Sequence, residues 1–99
     1  MQRNVLGVAS TTTAAADASV ITVDTSGGNR TISLPALSGV VGRQYTFINT
    51  GTNDMVIDPN GSEKIVNTST TTLTRDVKGS VVTIIATSGF WAVVSDFVP

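Results

Sequence analysis

The stretch "SVVTIIATSGFWAVVSDF", residues 80–97, decides which class of fold this chain can adopt. Two runs rich in β-branched and aromatic residues, 80–87 and 90–97, flank the turn residues Ser88 and Gly89. Such side chains pack well on a pleated sheet, whereas β-branched ones are stiff and crowded in a helix. Two runs of this kind joined by a short turn predict a β-hairpin.

Both faces of this predicted hairpin are mostly apolar. Along the first strand, alternation puts Val82 and Ile84 on one face, and Val81 and Ile85 on the other. A strand that is apolar on both sides is either central in a two-layer core or faces a partner subunit. We expect a partner subunit to cover at least one of these faces.

Shorter β-like runs recur upstream, each bounded by turn residues, and no window of ten or more residues shows a helical period. The pattern predicts an all-β, single-domain antiparallel β-sandwich or barrel of about eight short strands over residues 18–99. Residues 1–17 lack a sustained period and are predicted to form an extended N-terminal arm, ordered only where it lies on something. The upstream runs are 19–25, 30–35, 43–50, 54–59, 63–66 and 71–75.

The composition excludes several classes of function. The chain has no cysteine and no histidine, so disulfides, thiolate metal sites and histidine triads are unavailable. Its six basic residues form no run, which makes nucleic acid an unexpected partner, and no stretch is apolar enough to span a membrane. We therefore expect a protein that is not an enzyme and has no cofactor. Because only 13% of residues are charged, part of the surface is expected to be covered by other protein.

One acidic stretch, "NTGTNDMVIDPNGSEKIV" at 49–66, is a candidate functional loop. Asp58 and Glu63 carry the hard oxygen ligands that calcium prefers, but their spacing is not that of an EF-hand. A carboxylate pair for glycoside hydrolysis, drawn from these two and Asp54, would need a cleft that so small a sheet does not provide. We interpret the Asp-Pro-Asn-Gly sequence at 58–61 as a turn. No catalytic residue and no metal ligand is predicted here.

Residues 31–96 resemble a small β-domain found in virion proteins of tailed bacteriophages. The resemblance is carried by "TISLP", "GRQYTFIN", "VIDPNGSEKI", "GSVVTIIA" and "SGFWAVVSD", a pattern of turns and core positions rather than of reactive groups. Similar domains occur in tail fibres, head fibres and capsid-decorating proteins, commonly as trimers. The resemblance thus implies a structural role in a virion.

Among these roles we expect a capsid decoration (cement) protein. Only about seventeen residues precede the first predicted strand, whereas a fibre protein would normally carry a long shaft or attachment segment before such a domain. Such a protein would be made in the host cytoplasm, form a homotrimer, bind the outer surface of the capsid and stabilise contacts between copies of the major capsid protein. A fibre or spike tip that binds a host receptor is the alternative.

The residues expected to contact another subunit or the capsid lie in the arm and in the last predicted strand. A lone tryptophan on a β-strand anchors either the core or a subunit contact, and both readings stay open for Trp91. The expected contact residues are Gln2, Arg3, Val5, Leu6, Val8, Trp91, Val93, Phe97 and Val98.

Overall fold

A computed structural model describes residues 5–8, 12–13, 20–65 and 71–99 of the chain. It contains strands and one short 3₁₀ turn, Leu37–Gly39, so the prediction of an all-β protein is confirmed. The nine strands of the described residues are β1 (Val5–Val8), β2 (Thr12–Thr13), β3 (Val20–Val23), β4 (Arg30–Ser33), β5 (Gln44–Asn49), β6 (Met55–Asp58), β7 (Leu73–Arg75), β8 (Val81–Ala86) and β9 (Trp91–Phe97).

The strands form two sheets that enclose one hydrophobic core. The five-stranded sheet has the order β1-β3-β5-β8-β9, and the four-stranded sheet has the order β2-β4-β6-β7. Both sheets mix parallel and antiparallel neighbours. The hairpin predicted from residues 80–97 is confirmed as the antiparallel pair β8–β9.

The prediction of a purely antiparallel sheet is wrong. Successive strands β3, β4, β5 and β6 alternate between the two sheets, so β3 lies beside β5 and β4 beside β6, both parallel. The chain therefore winds around the core, and each crossover runs through a strand of the opposite sheet. The period-2 pattern of apolar residues is the same for parallel and antiparallel strands, so it did not reveal this winding.

Two strands lie within the segment predicted as an N-terminal arm. β1 pairs in parallel with β3, and β2 pairs in parallel with β4, each at the edge of its sheet. This part of the segment lies along the domain itself; the rest of 1–17 falls outside the described residues. Within the described part of the predicted run 63–66, residues 63–65, the structure has one isolated bridge, between Ile65 and Trp91.

The core is filled by the inward-facing residues of both sheets. Val82, Ile84 and Ala86 are buried and alternate with half-buried neighbours, as the sequence pattern predicted. Trp91 and Tyr45 lie at the centre with ring centroids 5.7 Å apart. Fully burying an aliphatic or aromatic side chain contributes roughly 1.5–3 kcal/mol, so these residues dominate the stability of the fold.

Candidate interaction surface

The side chain of Glu63, in the acidic stretch, supports the fold. Its two carboxylate oxygens accept hydrogen bonds from the Leu37 N–H at 3.3 and 3.2 Å, at the start of the 3₁₀ turn. The hydrogen-bonded turn runs from Asn60 to Glu63 (N–H to carbonyl, 3.0 Å), later than the 58–61 turn that was predicted, with Gly61 in the left-handed region. In the part of the chain that the structure describes, no group of three His, Cys, Asp or Glu residues lies close enough to hold a metal ion.

A buried polar network joins the loops at which the chain passes from one sheet to the other. Asn49 is fully buried at the end of β5; its Oδ1 accepts from the Thr25 hydroxyl at 2.8 Å and from the Gly51 N–H at 3.0 Å. Its Nδ2 donates to the carbonyls of Asn53 and Arg75 at 3.0 and 3.1 Å. The buried amide is thus fully satisfied, which is the condition for burying a polar group without a large penalty.

Two of these loops, the one after β3 and the one after β5, pack with their main chains in direct contact. A Cβ atom on Gly51 would lie 2.4 Å from the Ser26 nitrogen and 2.6 Å from the Thr25 carbonyl carbon. Glycine is therefore required at this position because no side chain fits between the loops. Together with the hydrogen bonds of Asn49, this contact holds the ends of the paired strands β3 and β5 side by side.

The outer face of the five-stranded sheet carries no charged residue on its described side chains. The strand register places Thr22, Ile48 and Val81 in one row across the sheet, which ends at Phe97. Most members are half-buried, because neighbouring side chains on the face cover one another. This uncharged outer face consists of Val20, Thr22, Gln44, Thr46, Ile48, Val81, Thr83, Ile85, Ala92, Ser95 and Phe97.

Several large apolar side chains are exposed near the end of β9, and Val41, in the loop before β5, is 56% exposed as well. Phe97, Val94 and Val98 expose 57%, 55% and 48% of their surface. Phe97 stands directly opposite Val81 and therefore continues the uncharged outer face to the edge of the sheet. An exposed apolar side chain at the end of an uncharged sheet face is typical of a contact with another macromolecule.

The outer face of the four-stranded sheet is more polar. Thr31 and Thr74 flank Val56 in one row, and Ser33 lies beside the carboxylate of Asp58 in the next. The two outer faces therefore differ in chemistry, and the uncharged one is the candidate interaction surface.

One ion pair connects the two sheets along their open side. The guanidinium of Arg75 on β7 donates from Nε to Asp96 Oδ1 on β9 at 2.9 Å, and from Nη2 to Oδ2. These side-chain hydrogen bonds lower the pKa of the Asp96 carboxyl and raise that of Arg75. This is the single salt bridge within the described ranges, and it joins edge strands of different sheets.

The predicted contact residues on β9 divide between the core and the surface. Trp91 is fully buried, so of the two readings the structure shows the core position; Val93 is partly buried and packs against the same core. Phe97 and Val98 lie on the surface.

The predicted contact residues of the N-terminal segment are described only in part. The backbone of Val5, Leu6 and Val8 belongs to β1, at the edge of the five-stranded sheet. Gln2 and Arg3 lie outside the described residues.

The sequence analysis did not predict two features near the end of β9. Val93 pairs with Ile84 and Ser95 with Thr83, which leaves Val94 unpaired as a β-bulge. The adjacent valines 93 and 94 break the alternation of β9, and that break is the signal that predicts a bulge. The Arg75–Asp96 pair has no such signal, because its partners are far apart in sequence.

No family model matches the chain, and no curated protein or solved structure matches it significantly. Among the residues placed by the structure, no helix is long and apolar enough to cross a bilayer.

Proposed function

We propose that this chain is a non-enzymatic structural protein that decorates the outer surface of a bacteriophage capsid. The observation that carries the proposal is the uncharged outer face of the five-stranded sheet, which ends in exposed Phe97. Soluble small domains usually carry charges on roughly a quarter to a third of their surface residues. A sheet face without charged side chains supports burial in an assembly. The resemblance to virion domains of tailed phages is our reason for proposing that this assembly is a phage capsid.

In this proposal the uncharged outer face packs between copies of the chain, as a homotrimer. The N-terminal segment, whose strand β1 presents its backbone at the sheet edge, contacts the major capsid protein. An edge strand offers unpaired N–H and C=O groups to a neighbouring chain.

Decoration would stabilise the capsid by mass action. A protein that binds the assembled shell and not its separated subunits lowers the free energy of the shell by RT ln(1 + [L]/Kd) at each site. Many weak contacts spread over a shell therefore add up to a large effect on its resistance to heat and internal pressure.

The fibre-tip alternative would use the loops at 53–54 and 60–63. In the structure, Asn53 donates from its N–H and its Nδ2 to Thr25, and Glu63 accepts from the Leu37 N–H. These side chains take part in folding, so we favour decoration.

The location in the particle tests the proposal. Quantitative mass spectrometry of purified virions should find hundreds of copies, and particles that lack the protein should release DNA at lower temperature but adsorb normally. A handful of copies per particle, with lost adsorption in the deletion, would instead establish the fibre tip.

A matched pair of lysine substitutions tests the surface. Ile48 and Val56 are both half-buried, outward-facing and on inner strands, but on different sheets. Ile48→Lys should abolish oligomers in light scattering and binding to stripped capsids, whereas Val56→Lys should preserve both. Circular dichroism and thermal unfolding check that each variant is folded. Equal behaviour of the two folded variants contradicts the assignment of the face.

A further inference from the structure

The turn that follows β6 carries an asparagine and a glycine side by side at its tip. Asn60 and Gly61 are both exposed, and Gly61 has a φ of 56°, in the left-handed region that glycine adopts without steric cost. A Cβ atom on Gly61 would meet no heavy atom within 4 Å, so the space around this peptide unit is open. Asn60 is the one asparagine of the chain that a glycine follows.

An Asn-Gly pair places a nucleophile within reach of an electrophile. The glycine main-chain nitrogen, after it loses its proton to base, attacks Cγ of the preceding side-chain amide. The new N–C bond closes a cyclic imide (a succinimide), and the side-chain nitrogen leaves as ammonia. Water then opens the imide at either carbonyl, which yields aspartate or isoaspartate, and in isoaspartate the main chain runs through the former side chain. Glycine favours the attack because it has no Cβ to crowd the reacting nitrogen.

The structure leaves both reacting groups of this pair without hydrogen bonds. Among the described residues, the Gly61 N–H donates to no acceptor, and the Asn60 side-chain amide has no partner either. The hydrogen bond that closes the turn uses other atoms, the Glu63 N–H and the Asn60 carbonyl, at 3.0 Å. Attack of the Gly61 nitrogen on the Asn60 amide therefore requires no hydrogen bond of either group to break.

The other asparagines that the structure describes are held in place. Asn49 is fully buried, and its side-chain oxygen and nitrogen are both hydrogen-bonded. The Asn53 Nδ2 donates to the Thr25 carbonyl at 2.7 Å, and the Asn29 Oδ1 accepts from the Asp54 N–H at 3.0 Å. Each of the three also precedes a residue with a side chain, which crowds the nitrogen that would attack.

We propose that Asn60 is a site of spontaneous modification, at which the folded protein loses ammonia and acquires aspartate or isoaspartate. The product has a carboxylate in place of a neutral amide, which makes the net charge of −1 more negative by one unit. Isoaspartate also inserts a methylene into the main chain between Pro59 and Ile65, which are buried on either side of the tip. The Glu63 carboxylate, which accepts from the Leu37 N–H, lies on the same turn and is loosened with it. This inference does not depend on the proposed function.

Ageing of the purified, folded chain in mildly alkaline buffer tests the proposal. Trypsin cleavage after Arg43 and Lys64 releases one peptide, 44–64, that contains Asn49, Asn53 and Asn60 together. Fragment-ion mass spectrometry should place the conversion at Asn60 and not at the other two, with release of a matching amount of ammonia. The rate should rise with pH, because the attacking nitrogen must first lose its proton.

The control variant is Asn60→Gln, which keeps the side-chain amide but would have to close a larger ring. It should remain unmodified under the same conditions, and circular dichroism checks that it is folded. Equal conversion at Asn53 and Asn60 in the wild type overturns the proposal, because the turn would then have no special reactivity. The absence of conversion at Asn60 overturns it as well.

A sample aged in urea separates the effect of the fold from that of the sequence. A hydrogen bond or backbone constraint that protected Asn60 would slow its conversion in the folded chain by roughly tenfold or more. We expect the folded and denatured rates at Asn60 to be closer than that. Conversion in urea but not in buffer would show that the folded turn protects Asn60, and would overturn the proposal.

The isoaspartate product, separated by ion exchange, tests the expected loosening of the turn. Asn60→Asp supplies the same charge without the extra methylene in the main chain. The isoaspartate form should therefore unfold at a lower temperature than Asn60→Asp. Equal unfolding temperatures would overturn the loosening at Glu63 and leave the modification itself to the mass spectrometry.

Discussion

The wound part of the chain, from β3 to β6, and the C-terminal hairpin of β8 and β9 differ in which side chains they bury and which they expose. In the wound part, a buried polar side chain, Asn49, has partners for its oxygen and its amide within the same subunit. The hairpin ends with Phe97 and Val98, which expose about half of their surface. The polar groups of the first region are satisfied within the chain, whereas the second region leaves large apolar side chains partly exposed.

The largest expected difference in stability is between two alanine substitutions within β9. Trp91→Ala removes a fully buried side chain and should destabilise the subunit by about 3–5 kcal/mol. Phe97→Ala removes a side chain that is mostly exposed in the subunit, so its effect should stay below about 1 kcal/mol. Urea unfolding of dilute, monomeric protein measures both. Similar losses for the two variants would show that the end of β9 is part of the core.

In the wound part, the contact between loops gives the next largest effect. Gly51→Ala places a methyl group 2.4 Å from the Ser26 nitrogen and should destabilise the protein by about 1–3 kcal/mol or more. The matched control is Gly89→Ala in the hairpin turn, where a Cβ meets no heavy atom within 4 Å. Its unfolding midpoint should change little. A neutral Gly51→Ala would mean that the stacked loops separate easily.

The smallest expected effect concerns the ion pair that connects the hairpin to β7 of the other sheet. Because Arg75 lowers the pKa of Asp96 in the folded state, the pair stabilises the protein above the unfolded value of about 3.9. That contribution is lost as pH falls through the folded pKa. Asp96→Asn should therefore lower the free energy of unfolding by about 0.5–1 kcal/mol at pH 7, and the difference from wild type should shrink as pH falls below about 3.9 and through the lowered pKa of Asp96.

A double-mutant cycle with Arg75→Gln isolates the pair from other effects of each substitution. The coupling should fall with added salt, because both side chains are partly exposed. A coupling that does not change with pH or with added salt would assign it to packing rather than to charge.

Local patterns predicted part of this fold, and contacts between distant residues account for the rest. The alternation of Val82, Ile84 and Ala86 with its short turn identified the hairpin, because both partners lie close in sequence. The parallel pairing of β3 with β5 could not be predicted, because the alternation of apolar and polar residues is the same for parallel and antiparallel strands. Asn49 gave no sign of burial, because asparagine is mostly exposed and favours turns.

For the candidate surface, the alternation of β8 predicted two apolar faces, and the structure buries Val82 and Ile84 and leaves Val81 and Ile85 half-buried on the outer face. The contact role of Phe97 stays a prediction; its side chain is exposed. The sequence did not decide whether Trp91 lies in the core or at a subunit contact, because alternation separates the two faces of a strand without showing which face meets the opposite sheet. The bulge at Val94 also changes, within β9, which of the alternating positions face inward.

The winding of β3 to β6 also governs the order of folding. The β8–β9 hairpin joins residues close in sequence, so it can form within roughly 1–10 μs. Val20 meets Thr46 only after the intervening chain has crossed to the other sheet and back, and such non-local pairings slow folding toward milliseconds to seconds. During synthesis β8 follows the wound part of the chain, and β5 has no antiparallel neighbour until β8 arrives. The five-stranded sheet therefore cannot be completed before β8 has been synthesised.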